Sequence, residues 1–209
     1  VLLLLAISLT LTASSCQLFA PKVKVVEEKR APYDPIANSL SNEYFHSPTG
    51  DIVGHFPKGW LQVNVENDPD LDQILFIYTD AKRANGLVLT EVPGSAEVRR
   101  LVERDGLVAL TQESFRLKSA KSKQELSITR QPEIFTIASD LFASYEYSST
   151  DENGGKKYHR AVVFTTGDRF YELAMVQLSV QSEAAANENF RLLQSVIGAL
   201  EGVAEVKGV

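Results

Sequence analysis

Apolar positions are densest in Arg169-Phe-Tyr-Glu-Leu-Ala-Met-Val-Gln-Leu178, near the C-terminal end of the chain. Tyr171, Leu173 and Met175 form one alternating set; Phe170, Ala174, Val176 and Leu178 form the other. Successive side chains of a strand point to opposite faces, so a run apolar on both sides must be covered on both. The run is therefore read as a central strand held between two layers. Gly167-Asp168 ahead of it has the form of a two-residue hairpin turn with glycine first. That turn sets Phe164 opposite Tyr171, Val162 opposite Leu173 and Val163 opposite Glu172. After it, Ser182 is placed to cap a helix whose apolar positions Ala186, Phe190, Leu193, Ile197 and Leu200 fall on one stripe.

The same patterns order the rest of the chain. Glu43–Ser47 and Asp51–Phe56 flank Pro48-Thr-Gly50 as a hairpin, and Trp60–Val65 alternates as a strand. Gln73–Tyr78 and Gly86–Val92 are apolar runs of strand length, with Asn85-Gly86 marking the turn between them. Ser95 and the first-turn Glu97 open a helix expected to reach Ser119, with Val98, Leu101, Val102, Val108 and Phe115 inward and Gly106 its weak point. Three strands are expected next, at about 124–130, 133–139 and 141–150. Asp151–Gly155 then closes a hairpin onto 157–166 that sets Glu146 opposite Arg160. Short connections between most strands imply a mainly antiparallel sheet. The expected fold is α+β, an α/β/α sandwich with helices on both faces of the sheet.

Ahead of this domain, Val1–Leu11 is almost wholly apolar. A membrane-spanning helix needs about 20 such residues, whereas a signal peptide needs about 7–15. Ala13-Ser-Ser-Cys16 follows, and the whole resembles a bacterial lipoprotein signal, in which the cysteine is lipidated and becomes the mature N-terminus. The resemblance implies a signal peptide over 1–15, lipidation of Cys16 and a membrane-anchored, periplasmic or outer-face location. A diacylglyceryl group plus an N-acyl chain buries several tens of methylenes at about 0.8 kcal/mol each, which makes such anchoring effectively permanent. Residues 16–42 hold mixed charges and Pro21, Pro32 and Pro35, and they read as a tether. The alternative is that Tyr33–Leu40 lies along the domain as an ordered arm. The domain itself is placed at 43–202, with 203–209 a tail.

Composition narrows the function. The 209 residues carry a net charge of −6, which argues against nucleic acid as a partner, since that needs a clustered basic face. The lone cysteine excludes an internal disulfide and zinc sites built on several thiolates.

The order of motifs is similar to that of the PsbP-like family. The resemblance rests on Tyr44-Phe45, on Phe56-Pro-Lys-Gly-Trp60, on Arg169-Phe-Tyr-Glu-Leu173 and on Phe190-Arg-Leu-Leu-Gln-Ser195. It covers about residues 44–200. The family fold, an antiparallel sheet between helices, is shared with a Ran-binding nuclear import factor. The resemblance implies a non-catalytic accessory protein on the lumenal or outer side of a membrane, assisting a larger membrane protein complex. Trp60, Tyr171 and Phe190 are equally readable as core.

Motif chemistry is sparse. No nucleophile elbow, dinucleotide or phosphate loop or zincin helix is present. His46 and His55 share a face only if the hairpin loop is Thr49-Gly50; with the three-residue loop, the preferred register, His55 faces Glu43 and His46 turns away. His159 is read as a surface residue. Glu172 is a carboxylate in the central strand pair, a site candidate if buried and otherwise a partner for Lys or Arg near a sheet border. Asp68, Asp70 and Asp72 lack the glycine and closing glutamate of a calcium loop. The reading is a lipid-anchored accessory or binding protein that is not an enzyme and uses no metal or cofactor. The alternatives are a small-ligand carrier with a pocket between sheet and helix, or a hydrolase using Glu172 or a histidine.

Overall fold

The computed structural model describes residues 33–64 and 72–203. The leader with Cys16, the rest of the expected tether to residue 32, Asp68, Asp70 and residues 204–209 lie outside them.

β1 (Leu40–His46) and β2 (Val53–Pro57) form a separate two-stranded hairpin. β3 (Leu61–Val63), β4 (Ile74–Thr79) and β5 (Asn85–Val92) form an antiparallel meander. α1 (Ala96–Asp105) and α2 (Leu107–Lys121) then carry the chain to the far edge of the sheet. From there β6 (Leu126–Ile137), β7 (Asp140–Thr150), β8 (Lys156–Thr166) and β9 (Arg169–Gln177) return strand by strand, before α3 (Glu183–Ile197). The sheet order is β3-β4-β5-β9-β8-β7-β6, antiparallel throughout. The fold is α+β, and β9 is its middle strand.

Both faces of β9 are covered by different layers. Tyr171, Leu173 and Met175 pack with Leu193 and Ile197 of α3 and with Phe45, Ile52 and Phe56 of the hairpin. Phe170 and Ala174 pack with Val98 of α1 and Leu107 and Leu110 of α2. The registers Phe164↔Tyr171, Val162↔Leu173, Val163↔Glu172 and Glu146↔Arg160 are as the sequence predicts. Ser95 and Ser182 cap α1 and α3, each accepting from a backbone N–H three residues on.

Several elements differ from the sequence reading. The helix expected over 95–119 is two helices, because Gly106 has φ 69° and ψ −159°, a region open essentially to glycine alone. The break rephases the second segment, so Leu107 and Leu110 are buried where Val108 was expected. The strands expected at 124–130 and 133–139 are one strand, β6, whose register slips on either side of Arg130. β6 is an edge strand, where Pro132 and such bulges are tolerated. The β4–β5 turn lies at Asp80–Ala84, not at Asn85-Gly86. Asp80 accepts from the Ala84 N–H and from Asn85 Nδ2, both at 2.8 Å, which leaves Asn85 free to pair with Gln177 in the sheet.

Residues 33–42 are the ordered arm, not the end of a tether. The Asp34 N–H donates to Gln194 Oε1 (3.1 Å) and the Ile36 N–H to Ser195 Oγ (2.8 Å), both on α3. Asp34 also pairs with Arg191 at 2.9 Å, and Leu40 already belongs to β1. At the other end, Val203 is buried against the α3 face of the sheet.

Candidate functional site between helix α2 and the sheet

Six interstrand spacings of about 4.8 Å make a seven-stranded sheet roughly 29 Å wide, while one helix covers about 10 Å. On the α3 face the β1–β2 hairpin fills the difference, and Leu87, Leu89, Tyr171 and Leu173 are fully buried. On the opposite face α2 packs over β6, β7 and β8. Over β4, β5 and the end of β9, that face borders a cavity of about 850 Å³, within the size range of small-molecule sites. Its apolar lining includes Ile74, Val88, Leu117, Leu126 and Val176, all half-buried, with Val92 and Ala174 buried beneath.

Part of the polar lining is one connected cluster, Ser114, Lys118, Tyr147, Ser149, His159 and Glu172, while Asp72, Gln73, Thr90, Glu91 and residues 121–124 supply the rest. Glu172 is 1% exposed. It accepts from Ser114 Oγ and Tyr145 OH, each at 2.5 Å, and from Lys118 Nζ. Lys118 also donates to Tyr147 OH at 3.1 Å and lies 4.8 Å from the centre of that ring. Burial alone raises the Glu172 carboxyl, but the Lys118 charge and the three hydrogen bonds outweigh it and leave the group below its ordinary value. Burial works against the Lys118 ammonium, yet Glu172 and Tyr147 hold its pKa above the ordinary value. The pair is therefore a closed ion pair at neutral pH, with its hydrogen-bonding capacity largely used.

His159 is buried, contrary to its expected place on the surface. It stacks on Tyr147 with ring centroids 4.7 Å apart, and its Nε2 lies 2.9 Å from Ser149 Oγ. Its Nδ1 is buried without a hydrogen-bond partner. Burial first, then the charges of Lys118 and Lys157, lower its pKa to about 4, so the imidazole is neutral across the physiological range.

The other sequence candidates lie elsewhere. Tyr44 pairs with His55 and His46 with Val53. This is the alternative hairpin register, and it puts both histidines on one face, not on opposite faces as preferred from sequence. Tyr44 stands between them, edge-on to His46 at 5.1 Å and to His55 at 6.2 Å, while His55 Nδ1 bonds the Glu43 carbonyl at 3.0 Å. Among the described residues no group of three or more His, Cys, Asp or Glu converges as a metal site. Asp72 is exposed at the cavity rim, 3.2 Å from Lys121 Nζ. Tyr171 is core, but its hydroxyl donates to Asp51 at 2.8 Å. Asp51 also accepts from Ser47 (2.7 Å), Thr166 (2.5 Å) and Thr49, fastening the hairpin tip to the sheet. Phe190 lies under the Arg160 guanidinium at 4.2 Å, and Trp60 packs on the α3-face core.

Ser114, Lys118, Tyr145, Tyr147 and Ser149 escaped the sequence reading. A signal was present in α2. Leu107, Leu110, Ser114, Lys118 and Lys121 follow one another at helical spacing, a stripe that starts apolar and buried and turns polar halfway along.

No protein-family model matches the chain, and no curated protein sequence does. Among solved structures it is similar to cyanobacterial PsbP (CyanoP) from Synechocystis sp. PCC 6803, with a TM-score of 0.54 and 12% identity over 78% of this chain and 92% of that one. A protein from Bacteroides thetaiotaomicron VPI-5482 matches with a TM-score of 0.47 and 15% identity, over 80% of this chain and 50% of that chain. The likeness to the cyanobacterial protein is one of fold: the chain has a PsbP-like fold.

Proposed function

We propose that the chain is a lipid-anchored, non-catalytic binding and accessory protein on the outer side of a bacterial membrane, assisting a larger membrane protein complex. The anchor is Cys16, following a signal peptide over 1–15. The reading draws its support from the Ala13-Ser-Ser-Cys16 pattern behind an apolar run and from the PsbP-like fold. One observation carries the non-catalytic part, the charge state of the polar cluster. General acid–base catalysis works best with a group whose pKa lies near the operating pH. Glu172 is held ionised, Lys118 protonated and His159 neutral, each displaced away from neutrality. The cluster therefore binds and orients; it does not exchange protons.

The cavity favours a second reading within this one, in which the domain carries a small ligand between α2 and the sheet. A hydrolase using Glu172 or His159 would need an acid or base that titrates near the operating pH, and both groups are held below their ordinary values.

The test has two arms. Expressed with its native leader, the protein should incorporate labelled palmitate and partition into detergent, and Cys16→Ala should abolish both. Affinity purification of the anchored protein from its own membrane should return a stable complex. An unlabelled, soluble wild type refutes the anchor. Recovery of the protein alone refutes the accessory role.

A further inference from the structure

We propose that the cavity between α2 and strands β4, β5 and β9 binds a neutral, largely apolar molecule through one hydroxyl or carbonyl group hydrogen-bonded to His159 Nδ1. The inference rests on reading the domain as a binding module, and names the chemistry of what it binds.

The apolar part follows from the uneven covering of the two sheet faces. β5 and β9 are sealed on the α3 side, where Leu87 and Leu89 have no exposed surface. On the other side Val88 and Val176 of the same two strands are half-buried and line the cavity, with Ile74, Leu117 and Leu126 beside them. Apolar surface left wetted inside a concave site is what an apolar ligand covers.

Neutrality follows from the charges already present. Lys118 is closed by Glu172, Lys121 by Asp72 at 3.2 Å and Glu91 by Arg169 at 3.0 Å. Lys123 is exposed to water at the rim. A charged ligand would lose its hydration on entry and find no uncompensated buried charge to replace it.

The single polar group follows from His159. The residue lines the cavity, is 7% exposed, and holds a buried Nδ1 without a partner. Buried polar atoms in native proteins are nearly always hydrogen-bonded, so an unbonded nitrogen on a residue that lines a cavity marks a place where something else supplies the bond; Gln177 Nε2 also lacks a bond, but Gln177 does not line the cavity. Nε2 and Ser149 Oγ share one hydrogen bond at 2.9 Å. If Nε2 donates it, Nδ1 is an acceptor; if Ser149 donates it, Nδ1–H is a donor. A hydroxyl satisfies either tautomer, and a carbonyl satisfies the second. The stacking of His159 on Tyr147 and its tie to Ser149 fix the ring, so the nitrogen is presented in one direction.

The probes are naphthalene, 1-naphthol and 1-naphthalenesulfonate, which share one ring system and differ in a single substituent. Binding is measured by calorimetric titration to the full mature chain carrying Cys16→Ser, so that no acyl chain competes. In wild type, 1-naphthol should bind about two- to tenfold more tightly than naphthalene, the gain from one net hydrogen bond. The sulfonate should bind at least tenfold more weakly than 1-naphthol. His159→Phe, which keeps the stacking on Tyr147, should remove the naphthol preference and leave naphthalene within twofold. Val176→Trp, which replaces part of the apolar wall with a bulky indole, should weaken both neutral probes at least tenfold. In 15N-labelled wild type, the His159 Nδ1 resonance should move with 1-naphthol and stay with naphthalene, a readout that holds even if His159→Phe does not fold. Sulfonate binding as tight as naphthol, a naphthol preference that survives His159→Phe, a silent Nδ1 resonance, or neutral-probe binding unaffected by Val176→Trp would each overturn the inference. None of these results depends on whether a membrane complex is recovered, so the two readings fail separately.

Discussion

Replacing His159 by Phe should flatten the pH dependence of stability between pH 7 and pH 5. The imidazole has a pKa of about 4 in the folded chain, against an ordinary value of 6.5. Below pH 6.5 the unfolded chain takes up a proton that the folded chain refuses, so stability is present above 6.5 and is lost as pH falls toward 4. A displacement of this size is worth roughly 3 kcal/mol when fully developed, and about 2 kcal/mol between pH 7 and pH 5. His159 is 7% exposed, so solvent screening leaves this figure largely intact. The lowered carboxylates Glu172 and Asp51 lose their contribution at lower pH still, below the ordinary carboxylate range, and so stand outside the window. Urea unfolding of wild type and His159→Phe at the two pH values measures the difference directly. The variant should lose about 2 kcal/mol less than wild type. An equal loss in both would mean that the imidazole ionises normally in the folded state, and that the burial and the Lys118 and Lys157 charges do not act on it as described.

Further predictions test the remaining geometry. Glu172→Gln strands the Lys118 ammonium, whose side chain is only 26% exposed, and should cost about 3 kcal/mol by chemical denaturation. Glu172→Gln combined with Lys118→Met removes the stranded charge, while the amide oxygen still accepts from Ser114 and Tyr145, and should return to within about 1 kcal/mol of wild type. Gly106→Ala meets no neighbouring atom within 4 Å, so its cost of about 1–3 kcal/mol should come wholly from the backbone; a neutral result would mean that α1 and α2 tolerate another junction. A chain beginning at Asn42 loses the bonds of Asp34 and Ile36 to α3 and should be less stable by about 2 kcal/mol; an unchanged melting temperature would make the arm incidental.

The strand periodicities were legible because alternation is a local signal. The two apolar faces of β9, the Gly167-Asp168 turn and the α3 stripe each lie within about fifteen residues of sequence, and each is found as read except at the ends of the strand and the helix: Leu178 is exposed beyond β9 and Leu200 is buried beyond α3. Gly106 was visible as a weak point, but its positive φ depends on where α1 and α2 dock, so the rephasing onto Leu107 and Leu110 was not. The hairpin register turned on the loop length: Pro48 to Asp51 all belong to the loop, so Ser47 faces Ile52, and Asp51 is held out of the ladder by its bonds to Thr166 and Tyr171. The cavity was illegible for a different reason. Glu172 stood out, but Ser114 and Lys118 reach it from a helix more than 50 residues earlier, and His159 looks polar in sequence because nothing local shows that α2 and Tyr147 will bury it.

The position of β9 in the middle of the sheet sets the order in which the molecule can be assembled. During synthesis β3–β5 and β6–β8 are complete while the strand that joins them is still missing, because β5 has β4 on one side and, on the other, only β9, the last strand made. Until residues 169–177 emerge, β5 and β8 each present an open edge, and Leu89 and Phe164 lack the Leu173 and Tyr171 that lie opposite them in the finished sheet. Such edges template pairing with other chains, and long-range closures of this kind are slow. A chain cut short before Arg169 is therefore not a smaller domain but two half-sheets with no seam, a ready source of aggregate.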